Sequence, residues 1–242
     1  MPAEHSLGFT HFLAQADGLG KTLLVVLILM SMASWYFILT KAITGLRQRR
    51  ASQRFVEKFW DASSLDAVKN EINTHGAHEP FAHLTSHALF AAEHHGKTGG
   101  GKIGEGGTLA EFLTRSMRKT IDEETAQLEN GLTFLATVGA TAPFVGLLGT
   151  VWGVYGALVG IGMSGAGTLD RVAGPVGEAL IMTGLGLAVA LPAVVAYNFF
   201  TRANRLTLAS LDAFAHDLFA YLTTGSQVKQ NSNSLHVLQG AA

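Results

Sequence analysis

The sequence contains no cysteine, so it can form neither a disulfide bond nor a cysteine-ligated metal centre. Charged residues are also scarce, at 14 % of the chain compared with about 25 % in soluble domains. The formal net charge of -1 gives no basic field that would attract nucleic acid, so no nucleic-acid partner is expected. Hydrophobic residues make up 48 % of the chain. This composition predicts a membrane protein with a modest soluble part.

The longest stretches without a charged residue lie in the second half of the chain. Residues 131–169 and 179–201 carry no charged side chain and consist mainly of glycine, alanine and branched aliphatics. Each run is long enough to cross about 30 Å of hydrocarbon. We therefore predict membrane helices at 131–162 and 173–201, joined by a short turn at 163–172.

A single carboxyl, that of Glu178, interrupts these apolar spans. A carboxyl inside an apolar span is costly in lipid and usually faces a protein interior or a water-filled path for ions or protons. The alternative is an interfacial glutamate beside a helix N-terminus. Pro175 suits a first helical turn, which puts the start of the helix at or before Gly174 and favours the first interpretation.

An earlier uncharged run, residues 22–40, ends near Trp35 and Tyr36, which are typical of a membrane interface. We predict the first membrane helix at 22–44, after a lead at 1–21 that has no basic start and therefore no secretory signal. Lys21 is the only lysine or arginine before the run, whereas several arginines follow it. The positive-inside rule then predicts a periplasmic N-terminus and a cytoplasmic C-terminus.

The remaining sequence predicts a helical domain on the cytoplasmic side. Residues 45–130 show apolar residues at helical spacing, interrupted by a glycine-rich loop at 96–107. After this loop an apolar stripe runs along a charged helix: Leu109, Phe112, Leu113, Met117, Ile121 and Leu128. No breaker precedes Gly131, so we expect this helix to continue unbroken into the second membrane helix, with a kink at Pro143. An amphipathic helix is predicted at 202–226, packing on the loop helices, and a disordered tail at 227–242.

No enzyme chemistry or cofactor is predicted. The segment Gly18–Thr22 ends like a phosphate loop, but Gln15 stands where the first glycine is required. His83 and His87 are four residues apart and in principle share a metal, but the acidic residue of a His-Glu-x-x-His motif is missing. We expect a solvated helix face there, with no metal site. The chain contains no recognisable nucleophile–base pair.

The two long spans are rich in small residues at spacing four, a pattern that lets helix backbones approach closely. Examples are Gly149 with Gly153 and Gly156 with Gly160. Because small residues lie on several faces, whereas a hairpin offers one face to its partner helix, we predict a homo-oligomer. Tight packing within a monomer is the alternative. Hydroxyls inside the spans, mainly those of Thr141, Thr150 and Thr183, can complete a polar path only if several copies surround an axis.

These motifs lead to a known family. The run from Thr133 to Gly153, TFLATVGATAPFVGLLGTVWG, followed by Gly177-Glu-Ala-Leu and by ALPAVVAYN ending at Asn198, closely resembles the ExbB/TolQ/MotA proton-channel family. The resemblance implies an all-α membrane protein of the bacterial inner membrane, with three transmembrane helices and long helices that extend into a helical cytoplasmic domain. By the same resemblance, Glu178, Thr150 and Thr183 match pore residues, and Pro143 matches the proline of the second helix.

The resemblance also implies partners. Members form a five-fold assembly in lipid around the transmembrane helices of an ExbD-like subunit, and use the proton-motive force to energise a TonB-like transducer for transport such as iron uptake. The residues of these motifs resemble the ExbB branch of the family more than the TolQ branch, which belongs to the Tol-Pal envelope system. A non-conducting membrane scaffold is a further alternative.

Overall fold

The computed structural model describes residues 17–77, 79–98, 108–164 and 169–225. Within these ranges the chain is helical and contains no strand, which confirms the all-α prediction. The described residues form six helices: α1 (Gly18–Asp61), α2 (Leu65–His75), α3 (Pro80–Thr98), α4 (Leu109–Glu129), α5 (Leu132–Ser164) and α6 (Leu169–Thr224). Three helical stretches are long and apolar enough to cross a membrane: Gly18–Asp61, Leu109–Met163 and Ala179–Thr224. The chain divides into two compact units, which are described separately below.

The first unit comprises residues 1–44 and 129–203 and contains the start of α1, all of α5 and most of α6. Its core is made of small and aliphatic side chains, among them Leu27, Leu135, Val138 and Met182. Many other large apolar side chains of these helices are exposed: Met32, Tyr36, Phe144, Tyr155, Leu191 and Val195 are examples. An apolar surface of this extent is suited to lipid and to neighbouring helices rather than to water.

The expectation of one unbroken helix through Gly131 is wrong. Helix α4 ends at Glu129 and α5 begins at Leu132, with Gly131 between them at a φ of 78°. A Cβ on Gly131 would also lie 2.7 Å from Cδ1 of Phe37, so both the backbone conformation and the available space require glycine. Pro143 lies inside α5. In contrast, α6 passes the predicted boundary at 201–202 without a break.

The second unit comprises residues 45–128 and 204–242. The Phe214 ring packs edge-on against Phe59 at a centroid distance of 5.2 Å and against Phe81 at 5.4 Å, which joins α1, α3 and α6. The predicted stripe on α4 contributes Leu113 and Met117 to the interior, and the end of α6 contributes Leu211 and Leu218. The predicted packing of the last amphipathic helix on the loop helices is therefore confirmed.

Two other predictions for this unit have different outcomes. Helix α3 runs through Gly96 to Thr98, so the first residues of the predicted glycine-rich loop are helical. The rest of that loop, residues 99–107, and the tail at 227–242 lie outside the described residues.

Candidate functional site

Helices α5 and α6 touch through their backbones because glycines face each other. A Cβ added to Gly146 would lie 2.6 Å from the carbonyl oxygen of Met182 and 3.0 Å from Cα of Gly186. A Cβ added to Gly186 would lie 2.6 Å from the carbonyl oxygen of Ala142. Any side chain at either position would push the helices apart. This glycine pair fixes the helix separation at which the neighbouring polar side chains meet.

Thr150 and Thr183 meet one helical turn beyond that glycine pair. Their hydroxyls share a hydrogen bond, and both side chains are half-buried between α5 and α6. The Thr150 hydroxyl also lies 3.2 Å from the carbonyl oxygen of Gly146, in its own helix, and 3.1 Å from that of Ala179, across the contact. A hydroxyl has one hydrogen to donate and two lone pairs, so Thr150 can donate to only one of these partners at a time.

The backbone of Glu178 lies in α6, one residue before Ala179. Its side chain lies outside the described part of the structure. Ala179 packs on Gly153 of α5, where an added Cβ would be 2.9 Å from Cβ of Ala179. Since an α-helix rises about 1.5 Å per residue, the Glu178 backbone is level with Gly153 and within about a turn of Thr150.

The N-terminus of α1 lies at this same level. Asp17 accepts a hydrogen bond from the indole N–H of Trp152, the residue before Gly153, and one of 2.8 Å from the backbone N–H of Gly20. The Trp152 hydrogen bond first, and then that of Gly20, lower the pKa of Asp17 below its ordinary value. The contact anchors the first turn of α1 beside the section of α5 that packs on Ala179. Sequence reasoning did not identify Asp17 or Trp152, because the contact joins residues 135 positions apart.

The other predicted residues fall in different environments. Gly149 faces Met182, whose Cε would be 2.9 Å from an added Cβ. Gly156 and Gly160 have no atom of the described subunit within 4 Å of an added Cβ. Thr141 is exposed and donates to the carbonyl oxygen of Thr137 in its own helix at 2.8 Å, so it takes no part in the threonine contact. Gly146 was missed by sequence reasoning, although its spacing of three from Gly149 is a visible signal.

The histidine pair does not lie on a fully solvated face. The His83 side chain is 25 % exposed, and its Nδ1 lies 2.6 Å from Oε1 of Glu124, which is almost completely buried. His87 is exposed and its ring stands edge-on to that of His83. The described ranges contain no group of three histidine or carboxylate side chains arranged to hold a metal ion.

Comparison with known proteins places this arrangement in a family. Residues 76–213 match the MotA/TolQ/ExbB proton channel family. The chain belongs to this family. It is 45 % identical to the biopolymer transport protein ExbB of Xanthomonas campestris pv. campestris strain B100, over 92 % of this chain and 91 % of the relative. It is 37 % identical to the ExbB of Neisseria meningitidis serogroup A, over 82 % and 89 %. The Tol-Pal system protein TolQ of Pseudomonas aeruginosa is 31 % identical, over 84 % and 87 %.

Membership of the MotA/TolQ/ExbB family agrees with the three apolar helical stretches, and together they make the chain a multi-pass protein of the inner membrane. The matched region contains the glycine contact, both threonines and Glu178. It also contains about half of the second unit, including His83 and Glu124, so the family match extends beyond the membrane helices.

Proposed function

We propose that this chain is the ExbB-like subunit of an inner-membrane proton channel that, with an ExbD-like partner, couples the proton-motive force to TonB-dependent transport across the outer membrane. The observation that carries the proposal is the identity of 45 % to an ExbB over almost the whole chain, compared with 31 % to a TolQ. The TolQ-like role in the Tol-Pal system is the second candidate, since that relative also covers most of the chain.

We propose that five copies of the chain surround the helices of the partner, with the N-terminus periplasmic and the C-terminus cytoplasmic. Two features of the first unit support assembly. Gly156 and Gly160 have no neighbour within the described subunit, and the faces of α5 and α6 carry exposed large side chains. Small residues on an exposed helix face allow another helix to approach closely. A TonB-like transducer and membrane lipid complete the proposed set of partners.

The proposed proton path uses Glu178 together with the hydroxyls of Thr150 and Thr183. The two hydroxyls form one pair that can reverse its hydrogen-bond direction, because Thr150 has carbonyl acceptors in both helices. Repeated around an axis, this pair would present a ring of switchable donors and acceptors to a carboxylate on the partner. Protonation of that carboxylate would remove its charge and allow the partner helices to shift. Each proton that crosses 100 mV releases about 2.3 kcal/mol for such a step.

A complementation experiment tests the proposal. We expect this chain, expressed with its ExbD-like partner, to restore siderophore or vitamin B12 uptake to a strain that lacks ExbB and ExbD. We expect it not to correct the envelope defects of a strain that lacks TolQ. Glu178→Ala should abolish the uptake while the complex still assembles. Rescue of the TolQ strain alone would replace the ExbB-like role by the second candidate, and full uptake with assembled Glu178→Ala would contradict the role of this carboxyl.

A further inference from the structure

The second unit buries two carboxylates that the proposed proton path does not use. Glu79, just before α3, and Glu124, on α4, are 9 % and 4 % exposed. Both carboxylates lie in the unit made of residues 45–128 and 204–242, outside the long uncharged runs. Buried carboxylates are rare because removal of a charge from water is costly unless the charge is paired. Their partners therefore determine which protonation state the domain favours.

Glu79 joins α1 to α3. Its Oε2 accepts a hydrogen bond of 2.6 Å from the Ser52 hydroxyl of α1 and one of 3.2 Å from the backbone N–H of Phe81. Its Oε1 accepts a hydrogen bond from the backbone N–H of Ala82, so the carboxylate caps the first turn of α3. Burial raises the pKa of Glu79 above its ordinary value; these hydrogen bonds oppose the rise, and the charge of Glu124 adds to it.

Glu124 joins α4 to α3 through one histidine. Its Oε1 lies 2.6 Å from Nδ1 of His83. The two buried hydroxyls nearby bond within their own helices: Thr120 donates to the carbonyl oxygen of Ser116 and Thr85 to that of Phe81. Among the described side chains, His83 is therefore the hydrogen-bond partner of Glu124. A protonated histidine neutralises the charge of a carboxylate that it contacts, whereas a neutral histidine does not.

The other groups around the site are apolar or exposed. Helix α6 turns Leu211, Phe214 and Leu218 inward and leaves Asp212 and His216 exposed. The Lys69–Glu93 ion pair between α2 and α3 has both side chains more than two-fifths exposed. On α3, burial and the neighbouring His83 lower the pKa of His87, with Glu123 opposing and Lys119 adding to the shift. Among the described side chains, His83 is therefore the basic group in hydrogen-bond contact with these buried carboxylates.

We propose that Glu79, His83 and Glu124 form a proton-binding site of the helical domain, which holds α4 tightly on α3 when the proton is bound and loosens this contact when it is lost. With His83 protonated, the Glu124 contact is a charge-assisted hydrogen bond and one of two buried negative charges is neutralised. With His83 neutral, two nearby carboxylates repel each other in a place that water hardly reaches. The raised pKa of Glu79 acts in the same direction, because the folded state favours the protonated acid. The contribution of Glu79 to stability therefore falls as pH rises through this raised pKa.

His87 contributes to stability with the opposite dependence on pH. Because its pKa is lowered in the folded chain, it contributes stability above its ordinary value of 6.5, and this contribution is lost as pH falls. His87 also interacts with charges of α4, but these are Glu123 and Lys119 and not the buried Glu124. A local measurement on α4, made with and without the Glu124 carboxyl, separates the two contributions.

Amide hydrogen exchange of the full-length chain, purified with its partner, provides that measurement. Peptides that cover residues 113–129 are compared at pH 6 and pH 8, with labelling times scaled for the intrinsic exchange rate. We expect protection of α4 to be about tenfold higher at pH 6, the change that corresponds to one charge-assisted hydrogen bond. Glu124→Gln keeps the shape of the side chain, and in this variant the difference between the two pH values should disappear.

Asp122→Asn is the matched control, since it removes a carboxylate two residues away on the same helix, where the side chain is exposed. It should retain the pH dependence of the unaltered chain. If Glu124→Gln does not fold, His83→Gln removes the histidine partner of Glu124 instead and should likewise abolish the difference. The proposal is overturned if α4 protection in the unaltered chain is the same at both pH values. It is overturned equally if the difference survives in either variant.

Discussion

Replacement of Gly186 by alanine tests the glycine contact between α5 and α6. The new Cβ would lie 2.6 Å from the carbonyl oxygen of Ala142 and 3.0 Å from Cα of Gly146. Ordinary contacts of a Cβ begin at 3.4 Å, so α5 and α6 would have to separate by 3.4 − 2.6 = 0.8 Å. Both obstacles are backbone atoms and cannot rotate away. Overpacking of this kind costs about 1–3 kcal/mol.

The separation would also reach the hydroxyls of Thr150 and Thr183. Thr183 lies three residues before Gly186, and Thr150 lies four residues after Gly146, so the clash and the threonine hydrogen bond share one section of the interface. We expect Gly186→Ala to lower the free energy of unfolding in mixed micelles by about 1–3 kcal/mol. We also expect it to reduce TonB-dependent uptake, because the two hydroxyls no longer meet.

Gly184→Ala is the matched control, because an added Cβ on this glycine of the same helix meets no atom of the described residues within 4 Å. The subunit should then be unchanged, or more stable by up to about 1 kcal/mol through the higher helix propensity of alanine. The reasoning is refuted if Gly186→Ala and Gly184→Ala have the same free energy of unfolding. Equal values would mean that α5 and α6 are not in backbone contact.

Three further predictions follow from single contacts. Gly131→Ala should destabilise the purified chain by about 1–3 kcal/mol in the same unfolding assay, because it forces a positive φ on alanine and pushes its Cβ against Phe37; an unchanged free energy would exclude the observed turn. Ser34→Ala should be neutral or stabilising by up to about 1 kcal/mol, because the buried Ser34 hydroxyl has no hydrogen-bond partner among the described residues; a clear loss of stability would reveal one. Trp152→Phe should raise the pKa of Asp17 towards its ordinary value of 3.8. A carboxyl whose pKa is lowered by folding contributes stability above its ordinary pKa, and this contribution is lost as pH falls through the lowered pKa. The unaltered chain should therefore lose more stability on acidification than Trp152→Phe, as measured by thermal unfolding; equal losses would contradict the Trp152 contact.

Much of the membrane part follows from the sequence alone, because a lack of charge over twenty or more residues has few other structural explanations. The break at Gly131 does not follow. Glycine is tolerated inside membrane helices, and neither its positive φ nor the long-range contact with Phe37 leaves a local signal. Long-range contacts also explain why Asp17 and Trp152 were not paired in advance.

The candidate site was predicted in part. The family resemblance identified Thr150 and Thr183, whereas only the structure brings their hydroxyls together through the close approach at Gly146 and Gly186. The burial of Glu124 could have been predicted from its position in the sequence. It lies seven residues after Met117, on the same apolar stripe of α4. Its histidine partner is 41 residues away and could not be read from that spacing.

The central claim is that protons pass by way of Glu178 and the threonine pair, and proton flux through the complex reconstituted in liposomes tests it most directly. We predict that Glu178→Gln abolishes the flux and that Thr150→Val lowers it strongly. Thr141→Val should leave it unchanged, because the Thr141 hydroxyl is bonded within its own helix. A Glu178→Gln complex that conducts protons at the rate of the unaltered complex would contradict the account, as would equal losses in Thr150→Val and Thr141→Val.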